Sequence, residues 1–376
     1  MPEWFASGLF CPERTTVTNT LSPNTGSYLS HIHAFRGFAI INVVGAHSWS
    51  TLMYLIWGSD ILKHMNLLYA TTKMAFHGST LYFAFISGLL FSKVLRNKGW
   101  KSFFKNKVLN VVAPYVVLSL FFLTTFWNWY LKSAADKGRP TEFIPALLDG
   151  IVFGRVLPHF WYIPVLLVIF LFTPLFQYLL HQPRFKWIIL VLIVAPLIIS
   201  RTTIPAFLSL QTLIYFSGAY VFGMWVGKDY NRTLAIISRY RGWLWCIAVA
   251  GSLALTLLIL QRYESSHLIA WDQTIVYLQK TALICLILHY FSRHEAVLPR
   301  FLNLLGTYAF AIYFLHLAFT YLVARGLTGL ISQHQDLLTL ALSGLLVLTA
   351  SIALSIVISK IIRLLLGRRS RILIGV

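Results

Sequence analysis

The sequence is poor in charged residues, and acidic residues are the scarcer kind. Asp, Glu, Lys and Arg together make up 11% of the 376 residues, and only 11 residues are acidic. Soluble globular proteins carry about 25% charged residues, so this composition excludes an ordinary soluble domain. The chain also lacks a Walker A loop, a GxGxxG after a strand, an HExxH and a GxSxG. Phosphate-loop, dinucleotide, zinc-protease and hydrolase-elbow functions therefore have no support.

Cysteine is scarce as well. The three cysteines, Cys11, Cys246 and Cys285, are odd in number, and two of them fall in apolar segments. They provide neither a disulfide framework nor the spacing of a metal site, so we expect no metal. The first 34 residues lack the charged-then-apolar order of a cleavable signal peptide. We expect a loosely ordered polar tail there.

Long apolar runs are what the chain has in abundance. Hydrophobic residues make up 58% of it, and the mean hydropathy is +0.72. A helix needs about 20 apolar residues to cross the roughly 30 Å core of a bilayer. We therefore predict an all-α, polytopic membrane helix bundle of about ten transmembrane helices. The predicted spans are 35–57, 74–95, 108–131, 159–180, 187–204, 208–227, 243–260, 272–291, 301–324 and 338–366.

The span at 187–204 is the weakest of these, because Pro196 and Pro205 interrupt it. Nine helices are the main alternative to ten. Charge decides between them: with residues 1–34 in the cytoplasm, twenty Lys and Arg fall in inward segments and nine in outward loops. Omitting 187–204 would invert every later loop, so the positive-inside rule favours a span there and both termini in the cytoplasm. The net charge of +20 thus reflects membrane orientation and not nucleic-acid binding.

The predicted organisation is simple. Residues 1–34 form the polar cytoplasmic tail, 35–366 form one membrane domain, and 367–376 form a basic cytoplasmic tail. The longest outward loop, 132–158, combines charge with an apolar patch, so we predict that it packs over the helices as a lid. No internal repeat is evident, which lowers support for a transporter built from inverted repeats.

Arg36 and His47 stand out in the first span, within "HAFRGFAIINVVGAHSW". Eleven residues are about three turns plus 20°, so both side chains share one face, about 16 Å apart along the axis. Arg36 then lies at the inner boundary and His47 near the middle of the bilayer. Alone, each has a structural interpretation, as a snorkelling arginine and as a hydrogen-bonded core histidine. Together they favour function, because guanidinium suits phosphate and imidazole exchanges a proton near neutral pH.

Other polar residues reach similar depths. Lys105 and Lys107 fall at the cytoplasmic boundary beside Arg36; each alone is an ordinary positive-inside charge, and as a set they suit a polyanionic donor. His316 lies about 22 Å into the ninth helix, where it either reaches the level of His47 or packs in the core.

Aromatic and small residues have plainer interpretations. Trp161 and Tyr162 fall at the outer boundary, where an aromatic belt is the default and stacking on a sugar the alternative. Ser87 and Gly88 indicate close helix packing. Lys280 lies inside the eighth helix, and we expect it to snorkel outward.

Four elements in chain order resemble the acyltransferase-3 superfamily of multipass membrane acyltransferases, which includes O-antigen acetylases and glucan succinyltransferases. They are "FRGFAIINVVGAH", "LYFAFISGLLFSKVL", "FFKNKVLNVVAPY" and "LLGTYAFAIYFLHLAF", and "HFWYIPVLLVIFLFTPLF" is similar to a further family stretch. The resemblance covers about residues 30–365. In two places the sequence departs from the family pattern: His33 replaces an acidic residue, and Asn110 replaces the second arginine of the basic element, with Lys107 at the first.

The resemblance implies an O-acyltransferase of the bacterial inner (plasma) membrane. It would move an acyl group, acetyl by expectation, from cytoplasmic acyl-CoA to a hydroxyl of a cell-surface glycan or lipid-linked sugar. Arg36 and His47 are carried over as the essential pair, and His47 either deprotonates the acceptor or carries the acyl group covalently. The residues assigned to the donor are Arg36, Lys105 and Lys107, and those assigned to the acceptor are His316, Trp161, Tyr162 and Tyr313.

Two other classes remain open from the sequence. A transporter or flippase for a glycolipid or small anion would use Arg36 to bind substrate and His47 to relay protons. A membrane scaffold would use the polar stripe for helix packing alone.

Overall fold

The computed structural model describes residues 29–58, 67–96, 99–135, 137–201, 208–263, 270–331 and 336–375. These ranges contain helices and no strand, which confirms the all-α prediction. Most of the predicted tail at 1–34 and Cys11 lie outside the described residues. The α-helices are α1 (Ser30–Trp57), α2 (Leu67–Phe76), α3 (Thr80–Leu90), α4 (Trp100–Lys107), α5 (Ala113–Thr125), α6 (Trp127–Ala135), α7 (Phe143–Phe153), α8 (Tyr162–His181), α9 (Lys186–Val194), α10 (Leu210–Lys228), α11 (Tyr230–Leu260), α12 (Trp271–Arg293), α13 (Arg300–Ile331), α14 (Leu337–Leu366) and α15 (Ser370–Ile374).

Within the described ranges, eight helical segments are long and apolar enough to cross a membrane, as an integral multipass protein requires. Trp100–Thr125 joins α4 to α5 through the π-helical turn Val108–Val112. Leu67–Leu95 joins α2 to α3 through a turn at 77–79 and ends in the π-helical turn Phe91–Leu95. The predicted span at 208–227 corresponds to α10. Its 19 residues give about 28 Å of rise, although glycine and polar residues lower its hydropathy. The eight segments are Ser30–Trp57, Leu67–Leu95, Trp100–Thr125, Tyr162–His181, Tyr230–Leu260, Trp271–Arg293, Arg300–Ile331 and Leu337–Ile374.

The predicted span at 187–204 is not one continuous helix. It forms the nine-residue α9 followed by a 3-10 turn, Ala195–Leu197. Pro196 sits in that turn because it lacks the N–H that would continue an α-helix. The chain nevertheless makes the crossing that the charge pattern requires, as the helices on either side show.

α8 and α10 run parallel. At one end Lys228 Nζ donates to the carbonyl of Leu180 at 3.0 Å. Toward the other end the rings of Tyr162 and Phe216 lie 5.3 Å apart. The chain between two parallel helices must return across the bundle, and α9 with its 3-10 turn provides that return.

α1 lies at the centre of the bundle, parallel to α13. The two backbones touch: a Cβ on Gly37 would lie 2.0 Å from the carbonyl oxygen of Leu302, and a Cβ on Gly306 would lie 2.1 Å from that of His33. Small residues permit this approach in membrane bundles. Near the start of both helices Asn303 donates to the Ser30 hydroxyl at 3.1 Å, and further along both helices the rings of His47 and His316 lie 5.3 Å apart. The two helices therefore run in the same direction, and residues at similar distances from their starts face each other.

The outward loop at 132–158 packs against the bundle and enters it only at its end, and its role as a lid stays a prediction. Its apolar part is α7, which packs beside α5, where the Tyr115 hydroxyl donates to the carbonyl of Ile151 at 2.7 Å. The chain then turns at Gly154, which has a φ of 67°, and leads into α8. Gly154, Val156, Leu157, His159 and Phe160 are thereby buried among helices, whereas Pro158 stays exposed.

Candidate functional site

Three histidines meet inside the bundle. The ring of His47 lies 5.3 Å from that of His316, measured between centroids. His159 completes the cluster at 4.7 Å from His316 and 6.1 Å from His47. His47 is about 25 Å along α1 from Ser30, and His316 is about 24 Å along α13 from Arg300, so the parallel packing brings them together.

His159 reaches the cluster through the re-entrant turn. The Tyr313 hydroxyl donates to the backbone carbonyl of His159, which satisfies a polar backbone group that lipid could not. Burial is the main cause that lowers the pKa of His159 well below its usual value, and His316 and His47 lower it further. The ring is therefore neutral at neutral pH.

The hydrogen bonds of His316 define its basic nitrogen. Its Nδ1 lies 2.8 Å from the carbonyl oxygen of Tyr313 and 3.0 Å from that of Ile312. Carbonyl oxygens only accept, so Nδ1 carries the proton and Nε2 keeps a lone pair. Nε2 has no hydrogen-bond partner among the described residues. The cluster thus holds a buried proton acceptor beside His47.

A cavity of 340 Å³ opens beside the cluster, and we call it the histidine cavity. Tyr313 and Trp161 line it together with two members of the cluster, His47 and His159. The residues on the remaining walls that carry polar groups are Trp49, Ser50, Tyr69, Thr72, Lys73, His77, Ser79, Thr80 and Arg201.

A break between α2 and α3 shapes one wall of this cavity. Lys280 is fully buried, and its Nζ donates to the carbonyls of Ala75 at 2.7 Å and Met74 at 3.4 Å. The prediction that Lys280 snorkels outward is wrong, because carbonyls at the end of α2 satisfy the ammonium inside the bundle. The chain turns immediately after them, and this turn places His77 on the cavity wall.

A second cavity of 340 Å³ lies on the side where α1 begins, and we call it the inner cavity. Lys107 and Arg371 supply its positive charge, and Asn110 lies between them on the wall. The Arg371 guanidinium donates to the side-chain oxygen of Asn110. Arg36 stacks over the Phe310 ring, 5.6 Å from its centroid, and Phe310 is part of the same wall.

A narrow space of 20 Å³ separates the two larger cavities. Phe310 lines both this space and the inner cavity, and Tyr313 lines both this space and the histidine cavity. Tyr162 and Ser87 form other parts of its wall. The three spaces therefore lie in a row from Lys107 to His47, and the side chains of Phe310 and Tyr313 stand between one space and the next.

The structure brings most of the predicted site residues onto this line. His47, Tyr313 and Trp161 line the histidine cavity, with His316 packed directly behind them. The predicted aromatic belt is wrong for Tyr162, which is 3% exposed and packed inside the bundle. Lys105 is exposed and lies outside the wall of the inner cavity.

Four residues that were not predicted from the sequence also line these cavities: His77, His159, Arg201 and Arg371. His159 had a signal in the "LPHFWYIP" stretch, where a histidine precedes three aromatic residues. Arg201 and Arg371 had none, because each counts as an ordinary loop or tail charge in the sequence. The roles of all the site residues stay predictions.

Comparison with known proteins identifies the family of the chain. The family model described as an acyltransferase domain matches residues 29–360. A protein of Bacillus subtilis (strain 168), YfiQ, which carries the name of a membrane-bound acyltransferase, is 25% identical over 313 residues, covering 77% of this chain and 81% of that protein. No solved structure matches the chain. The match over most of its length shows that the chain belongs to the acyltransferase-3 family and is a multipass membrane acyltransferase.

Proposed function

We propose that this protein transfers an acyl group, acetyl by preference, from cytoplasmic acyl-CoA to a hydroxyl of a cell-surface glycan or lipid-linked sugar, in a bacterial inner membrane. The observation that carries the proposal is the line of three cavities from Lys107 to His47. A water-soluble donor on one side and an acceptor on the other can meet only along such a passage.

The inner cavity suits the nucleotide end of the donor. Lys107 and Arg371 line it, and Arg36 lies over the ring of Phe310, which is part of its wall. Arginine and lysine are the usual partners of phosphate, arginine because its fork binds two oxygens at once. Arg371 also places a guanidinium beside Asn110, where the family pattern has an arginine.

The narrow middle space is where the pantetheine arm would pass. At 20 Å³ it holds about one water molecule, so the arm enters only when the side chains of Phe310 and Tyr313 move aside, and the nucleotide stays outside. The walls of the narrow space are mainly apolar, and Ser87 and Tyr162 are polar residues among them. The Tyr162 hydroxyl is buried with no hydrogen-bond partner among the described residues. It is therefore available to donate to the thioester carbonyl oxygen as negative charge develops there.

The histidine cavity suits the chemical step. The acceptor hydroxyl oxygen attacks the thioester carbonyl carbon while His47 takes the hydroxyl proton. The C–S bond then breaks, the new ester leaves, and the protonated imidazole returns the proton to the thiolate of CoA. His316 Nε2, with its free lone pair, lies near enough to stabilise the protonated His47.

The proposal is tested by following the acyl group. Proteoliposomes containing the purified protein receive acetyl-CoA labelled in the acetyl group, together with an extract of lipid-linked glycans from the producing cells. Label on the glycan, absent with His47→Ala protein, is the expected result. Transport of the glycolipid without covalent label would instead establish the transporter or flippase.

A bulky side chain in the narrow space provides a separate prediction. Ser87→Phe is expected to lower acyl transfer at least about tenfold, because the ring fills a space of 20 Å³. Acetyl-CoA binding at the inner cavity should persist, which shows that the protein has folded. Turnover and equilibrium binding of acetyl-CoA measure the two effects.

Thr349→Phe is the matched control, because Thr349 is exposed on α14 and its hydroxyl bonds only within that helix. It should leave turnover unchanged. Normal turnover by Ser87→Phe protein would show that the donor does not pass through the narrow space.

A further inference from the structure

A cavity of 490 Å³, which we call the side cavity, adjoins the histidine cavity. The two share Lys73, His77 and Arg201. The side cavity is larger than the histidine cavity, and residues of α2, α10, α11 and α12 line it. A ligand held in it reaches the histidine cluster across these three shared residues.

The polar wall of the side cavity is strongly basic. Lys73, Arg201 and Arg262 carry positive charge, and Asp272 is the acidic residue that lines it. Burial lowers the pKa of the Arg201 guanidinium, and Tyr215 and Asp272 act in the opposite direction. Excess positive charge in a partly buried space favours an anionic ligand.

Arg201 is fixed in place. Its Nε and its backbone N–H both donate to the side-chain oxygen of Gln273, at 3.1 and 3.2 Å. Its guanidinium lies 4.2 Å from the centroid of the Tyr215 ring. A guanidinium held by its Nε and stacked on a ring presents its two terminal nitrogens, the arrangement that binds phosphate in a bidentate manner.

Arg262 stands in a conformation that favours glycine. It follows the end of α11 with a φ of 53°, and among the described non-glycine residues it alone has positive φ. Its N–H donates to Ile259, and that of Tyr263 donates to Leu258, as at a left-handed helix end. A side chain there costs about 1 kcal/mol relative to glycine, and strain kept at a cavity wall points to a use for the side chain.

The opposite wall of the side cavity is apolar. Leu255, Leu258 and Ile259 of α11 form it. α11 packs at the edge of the bundle, where its most apolar window is only 11% buried. The side cavity therefore has a basic wall next to an apolar one, as an amphiphile with an anionic head requires.

We propose that the side cavity binds the phosphate group of a lipid-linked acceptor, with Arg201, Arg262 and Lys73 on the phosphate and the lipid chain along α11. The sugar attached to that phosphate then extends into the histidine cavity, where a hydroxyl meets His47. This inference rests on the proposed function, which supplies the sugar as acceptor. It adds that a phosphate group positions that sugar.

The test uses simple lipids and the full-length protein in dodecyl maltoside. Calorimetric titration with geranylgeranyl diphosphate should give binding that weakens about tenfold or more in Arg201→Gln and in Arg262→Gly. Arg262→Gly removes the charge and also suits the left-handed backbone, so it keeps the helix end folded. Geranylgeraniol, which lacks the phosphates, should bind at least about tenfold more weakly than the diphosphate.

Arg325→Gln is the matched control, because Arg325 is an exposed arginine whose Nη1 donates to the Tyr321 hydroxyl, away from the cavities. It should bind the diphosphate as the unmodified protein does, and so should Lys107→Gln, which changes the donor cavity. If the Arg201 and Arg262 variants bound geranylgeranyl diphosphate as tightly as the unmodified protein does, the proposal would be overturned. Equally tight binding of geranylgeraniol or of inorganic diphosphate would overturn it too.

Failure of this inference is distinguishable from failure of the proposed function. If acyl transfer to glycan is absent while diphosphate binding depends on Arg201 and Arg262, the side cavity is a phospholipid site in a protein of another activity. If acyl transfer is present and both arginine variants bind the diphosphate normally, the proposed activity is supported and the acceptor is positioned elsewhere.

Discussion

His47→Ala protein is expected to retain less than about one hundredth of the acyl-transfer rate, since a positioned general base contributes about 10²- to 10⁴-fold. The variant loses the imidazole that takes the acceptor proton but keeps the histidines at 159 and 316. Acetyl-CoA binding should change little, because Lys107 and Arg371 lie at the far end of the passage. Steady-state transfer to glycan and equilibrium binding of acetyl-CoA measure the two quantities.

His294→Ala is the control for this substitution. His294 is exposed, stacks on Tyr290 at 4.3 Å between centroids and lines none of the three cavities of the passage. It should transfer acyl groups at the normal rate. A normal rate in His47→Ala protein would show that His47 is not the general base. His316, or a group other than a histidine, would then take the proton.

Gly88→Leu is expected to destabilise the protein by about 3 kcal/mol or more, enough to remove most folded material from the membrane. A Cβ at Gly88 would lie 1.9 Å from the carbonyl oxygen of Tyr220, and one at Gly223 would lie 2.0 Å from that of Phe85. These atoms are backbone on both helices, so α3 and α10 would have to separate. Yield in detergent and the thermal unfolding midpoint measure the effect.

Gly326→Leu is the matched substitution. Gly326 lies in α13, and apart from its own helix backbone no atom of the described residues is within 4 Å of the place its Cβ would take. Its unfolding midpoint should equal or slightly exceed that of the unmodified protein, because leucine favours helix over glycine. Equal midpoints for the two variants would show that α3 and α10 do not touch as described. The sequence itself indicated close packing at Gly88, within a small-residue pair of an apolar span.

The interior of the site separates what a sequence can determine from what it cannot. His47 and His316 were predictable because each lies on a long helix, where position along the chain gives depth directly. Lys105 and Lys107 were indistinguishable on that basis, since helix position gives depth but not rotation toward a neighbour. The structure rotates Lys107 onto the Phe170 ring, 4.0 Å from its centroid, and leaves Lys105 exposed.

Re-entrant and broken segments account for most of the errors. The loop at 132–158 contains one short apolar stretch, which cannot span a membrane and so was assigned to the surface. After its 11-residue helix the chain turns inward, because the Tyr115 hydroxyl satisfies the last carbonyls of that helix and Tyr313 satisfies that of His159. These hydrogen-bond partners lie far away in the sequence, so the local sequence pattern does not predict them.

By itself the sequence determined that the chain lies in a membrane, that it is helical, that it crosses again between α8 and α10, and how far apart Arg36 and His47 lie along α1. Each of these follows from hydropathy, charge and helical rise, which act along the chain. Only the tertiary structure decided that His159 joins the cluster, that Lys280 is buried, and that Arg201 and Arg371 face cavities. Those outcomes depend on which distant carbonyl, ring or guanidinium meets each side chain when the helices pack, and helix packing is a property of pairs of surfaces.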